Sequence, residues 1–220
     1  MPVYATQVRE HPAAVAYIHA ANANLRLLGF TEHGMRHVSR VSEWACEVLR
    51  ALGHSERDCE LAAIAGLLHD IGNLVSRAQH GQTGALLARE ILTELGMEVT
   101  ELVVVMGAIG NHEEEYGHAI SAVAAALILA DKADVHRSRV QEPDPDKHDI
   151  HDRVNLAATD SVLRVDPAAQ RIVLDLTIDT SMASVMDYFG IFLSRMIMCR
   201  QAANFLGCRF GLEVNGTVLE

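Results

Sequence analysis

For its size the chain is short of positive charge: 18 lysines and arginines stand against 29 aspartates and glutamates, a formal net charge of −11 over 220 residues. Such a balance argues against a nucleic-acid backbone or an anionic membrane surface as the main partner. It leaves room for a small phosphorylated substrate, because a bound metal reverses the local field. Cysteine is sparse as well. Cys46, Cys59, Cys199 and Cys208 are scattered with no C-x-x-C pair, and they read as reduced, packed thiols. The opening "MPVYATQVREHP" lacks a basic start followed by an apolar stretch. The most apolar runs, near 99–109 and 119–130, are too short to span a bilayer. A soluble cytoplasmic protein is expected, with no nucleic-acid or membrane partner, and "NGT" at Asn215 then carries little weight as a glycosylation acceptor.

What is present in quantity is apolar periodicity and histidine. Half of the residues are hydrophobic. Ala14, Ile18, Ala21, Leu25 and Leu28 fall at helical spacing within 13–28, and Val38, Val41, Ala45, Val48 and Leu52 do so within 34–52. Residues 56–71 repeat the pattern with Leu61, Ile64, Ala65, Leu68 and Ile71, and further helices fit 82–95, 98–109 and 118–138. The polar, proline-bearing "QEPDPDKHDIHDR", 141–153, reads as a linker or surface loop. Beyond it the period changes to two: "LAATDSVLRVD" and "RIVLDLTID" read as strands, 182–206 as a long apolar helix, and Asn215-Gly216 as a hairpin turn. The expected fold is mainly α. A helical unit, 1–140, is followed by a small ββαββ unit, 154–220, with an antiparallel sheet and its helix on one face.

Twelve histidines are more than ordinary usage supplies. His69-Asp70 closes an apolar helix, whereas His148-Asp149 and His151-Asp152 lie in the polar stretch and are expected at the surface. Asp131 continues the stripe Ile120, Ala124, Leu127, Ile128, which puts a carboxylate on a buried helix face. Such a group needs a cation, a metal or several donors, and an arginine such as Arg36 or Arg40 would serve as well as an ion. His37 sits beside the stripe of its helix, His80 precedes a helix start, and His112 follows Leu102, Val105 and Ile109. Neutral imidazoles mixed with carboxylates suit first-row ions such as Mn, Fe, Co, Ni or Zn, and six ligands suffice for two.

The contexts "RHVSRV", "AGLLHDIG" and "ILADKAD", in that order, resemble the HD-domain superfamily of metal-dependent phosphohydrolases over about residues 30–140. The resemblance implies a helical fold in which His37, His69, Asp70 and Asp131 hold a first ion. It further implies, from the binuclear branches that include HD-GYP phosphodiesterases and symmetrical diadenosine tetraphosphate hydrolases, that His80 and His112 hold a second, with Asp70 bridging. Asn73 replaces the lysine of the HD-GYP motif HDIGK, and nothing matches the GYP loop.

The activity so implied is hydrolysis of a nucleotide or other small phosphate ester or anhydride by metal-activated water, oriented by Asp70. Lys132, Arg137 and Arg139 form the basic cluster that would meet phosphate oxygens, or simply a solvated helix end; Glu113, Glu114 and Glu115 read as an exposed acidic run. A noncatalytic interaction or sensor module is the alternative. The 182–206 helix motivates it: Val185, Tyr188, Phe189, Phe192, Leu193 and Met196 cover more than one face, so it is buried either within the chain or in a homodimer.

Overall fold

The structure, a computed structural model, describes residues 2–219. Its helical part comprises α1 (Ala5–Glu10), α2 (Pro12–Leu27), α3 (Met35–Ala51), α4 (Glu56–Leu68), α5 (His80–Glu94), α6 (Val99–Gly110) and α7 (Ala122–Ala133). Local chemistry sets several of the boundaries. Pro12 begins α2, where a missing N–H costs nothing. The Ser55 hydroxyl accepts from the Asp58 N–H at the start of α4, and Ser121 accepts from Ala124 N–H at the start of α7. That cap starts α7 later than the expected 118. At the other end Asp134 leaves the helical region with ψ 82°, and the carbonyl it turns outward accepts a 2.6 Å bond from Arg139 Nη1.

α7 is the axis of the bundle. Every residue from Val123 to Ala133 is buried, with α3, α4, α6 and the C-terminal helix α9 (Val185–Phe205) packed around it. Where α3 meets α4 the backbones touch: a Cβ on Gly66 would lie 2.7 Å from both Cα and N of Ser42. This close crossing brings the first turn of α3 to the last turn of α4. α4 then stops at Leu68 and the chain tightens into a 3-10 turn, Ile71–Leu74. Gly72 makes that turn possible, since a Cβ there would overlap the His80 carbonyl.

The expected linker is partly helical. α8 (Ile150–Ala157) starts within it, capped by the Asp149 side chain, which accepts from Asp152 N–H at 2.9 Å. Asp152 is therefore buried at 6% exposure, not at the surface as expected, because it lies on the inner face of a capped helix together with Val154 and Asn155. His151 does lie on the exposed side.

The C-terminal unit contains β1 (Ala158–Asp166), β2 (Arg171–Ile178), α9 (Val185–Phe205), β3 (Arg209–Val214) and β4 (Thr217–Leu219), in sheet order β1-β2-β3-β4. The β1–β2 and β3–β4 pairs are antiparallel, as expected of the sheet. The central pair β2–β3 is parallel, because α9 carries the chain back across the sheet before β3 begins. Asn215 and Gly216, with φ of 51° and 77°, make the two-residue β3–β4 turn. Ile172, Leu174, Leu176, Leu212 and Val214 face α9, whose Tyr188, Phe192, Met196 and Cys199 are buried; α9 also packs on α7. Among the described residues no helix is long and apolar enough to cross a membrane.

Candidate metal centre

Five elements deliver six polar side chains to one interior point. His37 comes from the first turn of α3, His69 and Asp70 from just beyond α4, His80 from the first residue of α5, His112 from just beyond α6, and Asp131 from the last turn of α7. All six are buried, Asp131 being the most open at 9% exposure. Apolar helices supply the walls, so these groups meet where little water competes for them.

Their donor atoms form overlapping triads that share residues. His37 Nε2 lies 3.5 Å from Asp70 Oδ2 and 3.3 Å from Asp131 Oδ1, and His69 Nε2 lies 3.1 Å from Asp70 Oδ2. The other carboxylate oxygen of Asp70, Oδ1, faces His80 Nε2 at 3.3 Å and His112 Nε2 at 3.9 Å. Asp70 thus stands between two clusters with one oxygen turned to each.

Each imidazole is oriented from behind. His37 Nδ1 meets Asp134 Oδ2 at 2.7 Å; His69 Nδ1 meets the Gly66 carbonyl at 2.8 Å; His112 Nδ1 meets the Ile109 carbonyl at 2.6 Å. His80 Nδ1 lies 3.0 Å from the Arg77 carbonyl and 3.1 Å from Glu113 Oε1. A hydrogen on each Nδ1 satisfies these acceptors and leaves every Nε2 lone pair facing inward, the tautomer a metal ligand needs.

The electrostatics point the same way. Burial opposes charge on Asp70, yet His69, His33 and His80 outweigh it and hold its carboxyl well below the usual range. Burial likewise opposes Asp131, and Lys132, His37 and His69 hold it well below. His69 resists burial because Asp70 and Asp131 flank it, which carries its pKa up to about 10. Carboxylates that attract a proton to His69 attract a metal cation in its place. Burial pushes His112 well below its ordinary value, helped by His69 and His80, so that it stays neutral. Asp70 Oδ2 is buried without a hydrogen-bond partner. Four inward imidazole nitrogens, two ionised carboxylates and one orphaned oxygen fit divalent transition-metal binding.

The proposed basic residues fall in three different places. Lys132 borders the cluster, with Nζ 2.7 Å from Asp131 Oδ2 and 3.8 Å from Glu114 Oε1. Arg139 is buried away from it and donates to the backbone carbonyls of Asp134 and Glu32. Arg137 is exposed on a 3-10 turn. Their separation follows from the end of α7 at Ala133: without a continuing helix, 137 and 139 share no face with 132.

Two carboxylates escaped the sequence reading. Asp134 is 1% exposed and ties His37 to Arg36, whose Nη2 lies 2.7 Å away; burial opposes its charge, and Arg139 and His37 hold it well below the usual carboxylate range. Glu113 is buried at 7%, not exposed as expected, because it caps the start of α5 by accepting from Gly81 N–H beside His80. Its neighbour Glu114 ties the centre to α9, accepting from Ser194 Oγ and Arg195 Nε at 2.8 Å each. The adjacency of Glu113 to His112, and of Asp134 to Asp131 one turn earlier, was the available signal. Asn73 donates from Nδ2 to Asp70 Oδ1 at 3.0 Å, steadying the carboxylate that stands between the two groups of imidazoles.

A helical bundle enclosing a buried His/Asp metal centre is the class that this fold and these donors define. Residues 34–136 match the family model described as HD domain. Together with the buried His/Asp cluster, that match fits a member of the HD-domain superfamily of metal-dependent phosphohydrolases, a family of hydrolases in general whose domains bind divalent metals. The chain is also similar to an uncharacterized protein of Methanocaldococcus jannaschii, 41% identical over 71 residues, which are 31% of this chain. The match spans 40% of that relative's length.

Proposed function

We propose that the protein hydrolyses a small phosphate ester or anhydride, a nucleotide being the leading substrate class. The observation that carries this reading is the placement of Asp70, one oxygen toward His37 and His69 and the other toward His80 and His112. His37, His69, Asp70 and Asp131 would hold one ion, and His80 and His112 a second with Asp70 between them. Bound there, such ions supply Lewis acidity and a water of lowered pKa. The protein's own part is fixed in advance: Asp134, the Gly66 and Ile109 carbonyls and Glu113 orient the imidazoles, and Asn73 orients Asp70. Lys132, beside Asp131, supplies positive charge at one edge of the cluster.

The test is metal content together with turnover. Purified protein loaded with Mn or Fe is expected to carry up to two ions per chain and to cleave members of a nucleotide panel or a generic aryl phosphate. Asp70→Ala should lose both metal and turnover; an active, metal-loaded Asp70→Ala would refute the assignment.

The exposed stripe Met186, Leu193 and Ile197 on α9 supports, separately, a homodimer through this helix. An apolar face of this kind is covered at little cost by a second copy.

A further inference from the structure

Several cations lie at the cluster or against the residues that support it, and nearly all are already neutralised. Arg36 pairs with Asp134 and Glu32, Arg139 lies 3.6 Å from Asp134, Lys132 pairs with Asp131, and Arg195 pairs with Glu114. Arg77 differs. Its partners are neutral: Nη1 donates to Asn73 Oδ1 at 3.3 Å and lies 3.4 Å from His80 Nε2, and its guanidinium sits 5.2 Å from the centre of the Phe30 ring. Among the described residues no carboxylate ion-pairs with it. A half-buried guanidinium without a counter-anion, in a chain of net charge −11, is unusual enough to need a reason.

We propose that Arg77 is the residue that grips the substrate's phosphoryl oxygens, and that Phe30 is the positioning residue that holds it there. This rests on the phosphohydrolase reading above. Arg77 reaches the Oδ1 side of Asp70 through Asn73 and His80, while Lys132 meets the cluster at Asp131. The two cations therefore approach the donor cluster through different residues. The Nη1 donor loses its acceptor at His80 whenever that nitrogen binds an ion, and an anionic oxygen is the acceptor a guanidinium prefers. A planar fork matches two oxygens of one phosphoryl group, and the aromatic face of Phe30 limits the rotamers it samples without cancelling its charge.

The experiment uses the full-length Mn-loaded protein, its Arg77→Met, Arg77→Lys and Phe30→Leu variants, and inorganic phosphate as the probe. Metal per chain is measured first and is expected to be unchanged in all four. Calorimetric titration should then show phosphate binding weakened by about tenfold or more in Arg77→Met, and recovered in part by the point charge of Arg77→Lys. Phe30→Leu should give a smaller loss. With an aryl phosphate, Arg77→Met should raise KM by a similar factor, more than it lowers kcat. Wild-type phosphate affinity in Arg77→Met at full metal content would overturn the proposal. So would a loss of metal in that variant, which would make Arg77 a support of the ligands instead. A wild-type protein that holds metal but neither binds phosphate nor cleaves any phosphate ester would remove the phosphohydrolase reading itself. That outcome is distinct from an active wild type indifferent to Arg77.

Discussion

Replacing Asp134 by asparagine separates what this carboxylate does for the fold from what it does for the centre. It is 1% exposed, takes Arg36 and His37 at 2.7 Å each, and lies 3.6 Å from Arg139 Nε. Removing one partner from a buried ion cluster costs about 3–5 kcal/mol, since the remaining charges are left uncompensated. Two features place Asp134→Asn at the lower end, about 3 kcal/mol by the same reasoning. Arg36 is 33% exposed and keeps Glu32 at 2.9 Å, and Arg139 keeps its bonds to the Glu32 and Asp134 carbonyls. For a chain of this length that corresponds to a fall in Tm of about 6–12 °C. Metal affinity should fall as well, by about 10–100-fold, because His37 loses the group that fixes its ring. Leu49→Ala, a fully buried change in α3 away from the donor atoms, serves as the control, with a cost of about 2–5 kcal/mol. Thermal melts and Mn titrations of both variants decide the matter. Unchanged melting of Asp134→Asn would refute the buried-charge argument. Metal affinity lost equally in Leu49→Ala would refute the specific role of Asp134.

The α3–α4 crossing should be intolerant of a single methyl: Gly66→Ala is expected to cost about 1–3 kcal/mol, as the obstructing Ser42 atoms are backbone and cannot rotate away. Wild-type melting of that variant would show the crossing to be looser than described. Asp70, Asp131 and Asp134 all have depressed pKa values, so each contributes stability that is complete above the ordinary carboxylate range, begins to fall as pH drops through that range, and is lost by the time pH passes the lower folded-state value. With chelator present, Tm should therefore decline below about pH 4; a level Tm down to pH 3 would contradict this. Light scattering should report a dimer that Leu193→Glu converts to monomer, and a monomeric wild type would remove α9 as an interface.

The parts of the centre legible in the sequence were those that interrupt an apolar stripe. His69-Asp70 and Asp131 break runs whose helical members are buried, so periodicity placed them at the edge of a core; Ile120, read with the Asp131 run, lies before α7 begins and is 55% exposed. Asp134 and Glu113 were not legible in this way. They stand just past helix ends, and their burial depends on what packs back over those ends: Arg139 returning onto Asp134, and the first turn of α5 settling on Glu113. Arg77 lies in the short connection before α5, where no period exists to assign a direction. The same limit explains α8. Its capping Asp149 and the Asp152 N–H it receives were present in the sequence, but the prolines before them favoured a loop reading. Strand existence and the Asn-Gly turn followed from alternation and turn chemistry. The parallel β2–β3 pairing depends on which side α9 returns the chain, a choice made by packing on α7.

α7 has no face toward solvent, and that has a consequence for how this protein tolerates change. On an ordinary surface helix, permitted substitutions rise and fall with the helical turn, because one side answers only to water. Between Val123 and Ala133 every direction is occupied. A saturation scan of α7 should therefore show no such wave, only uniform resistance around the whole circumference. Disturbance on the α9 side would reach Asp131 as readily as disturbance on the α3 side, so the small sheet unit and the metal-binding helices vary under one shared constraint.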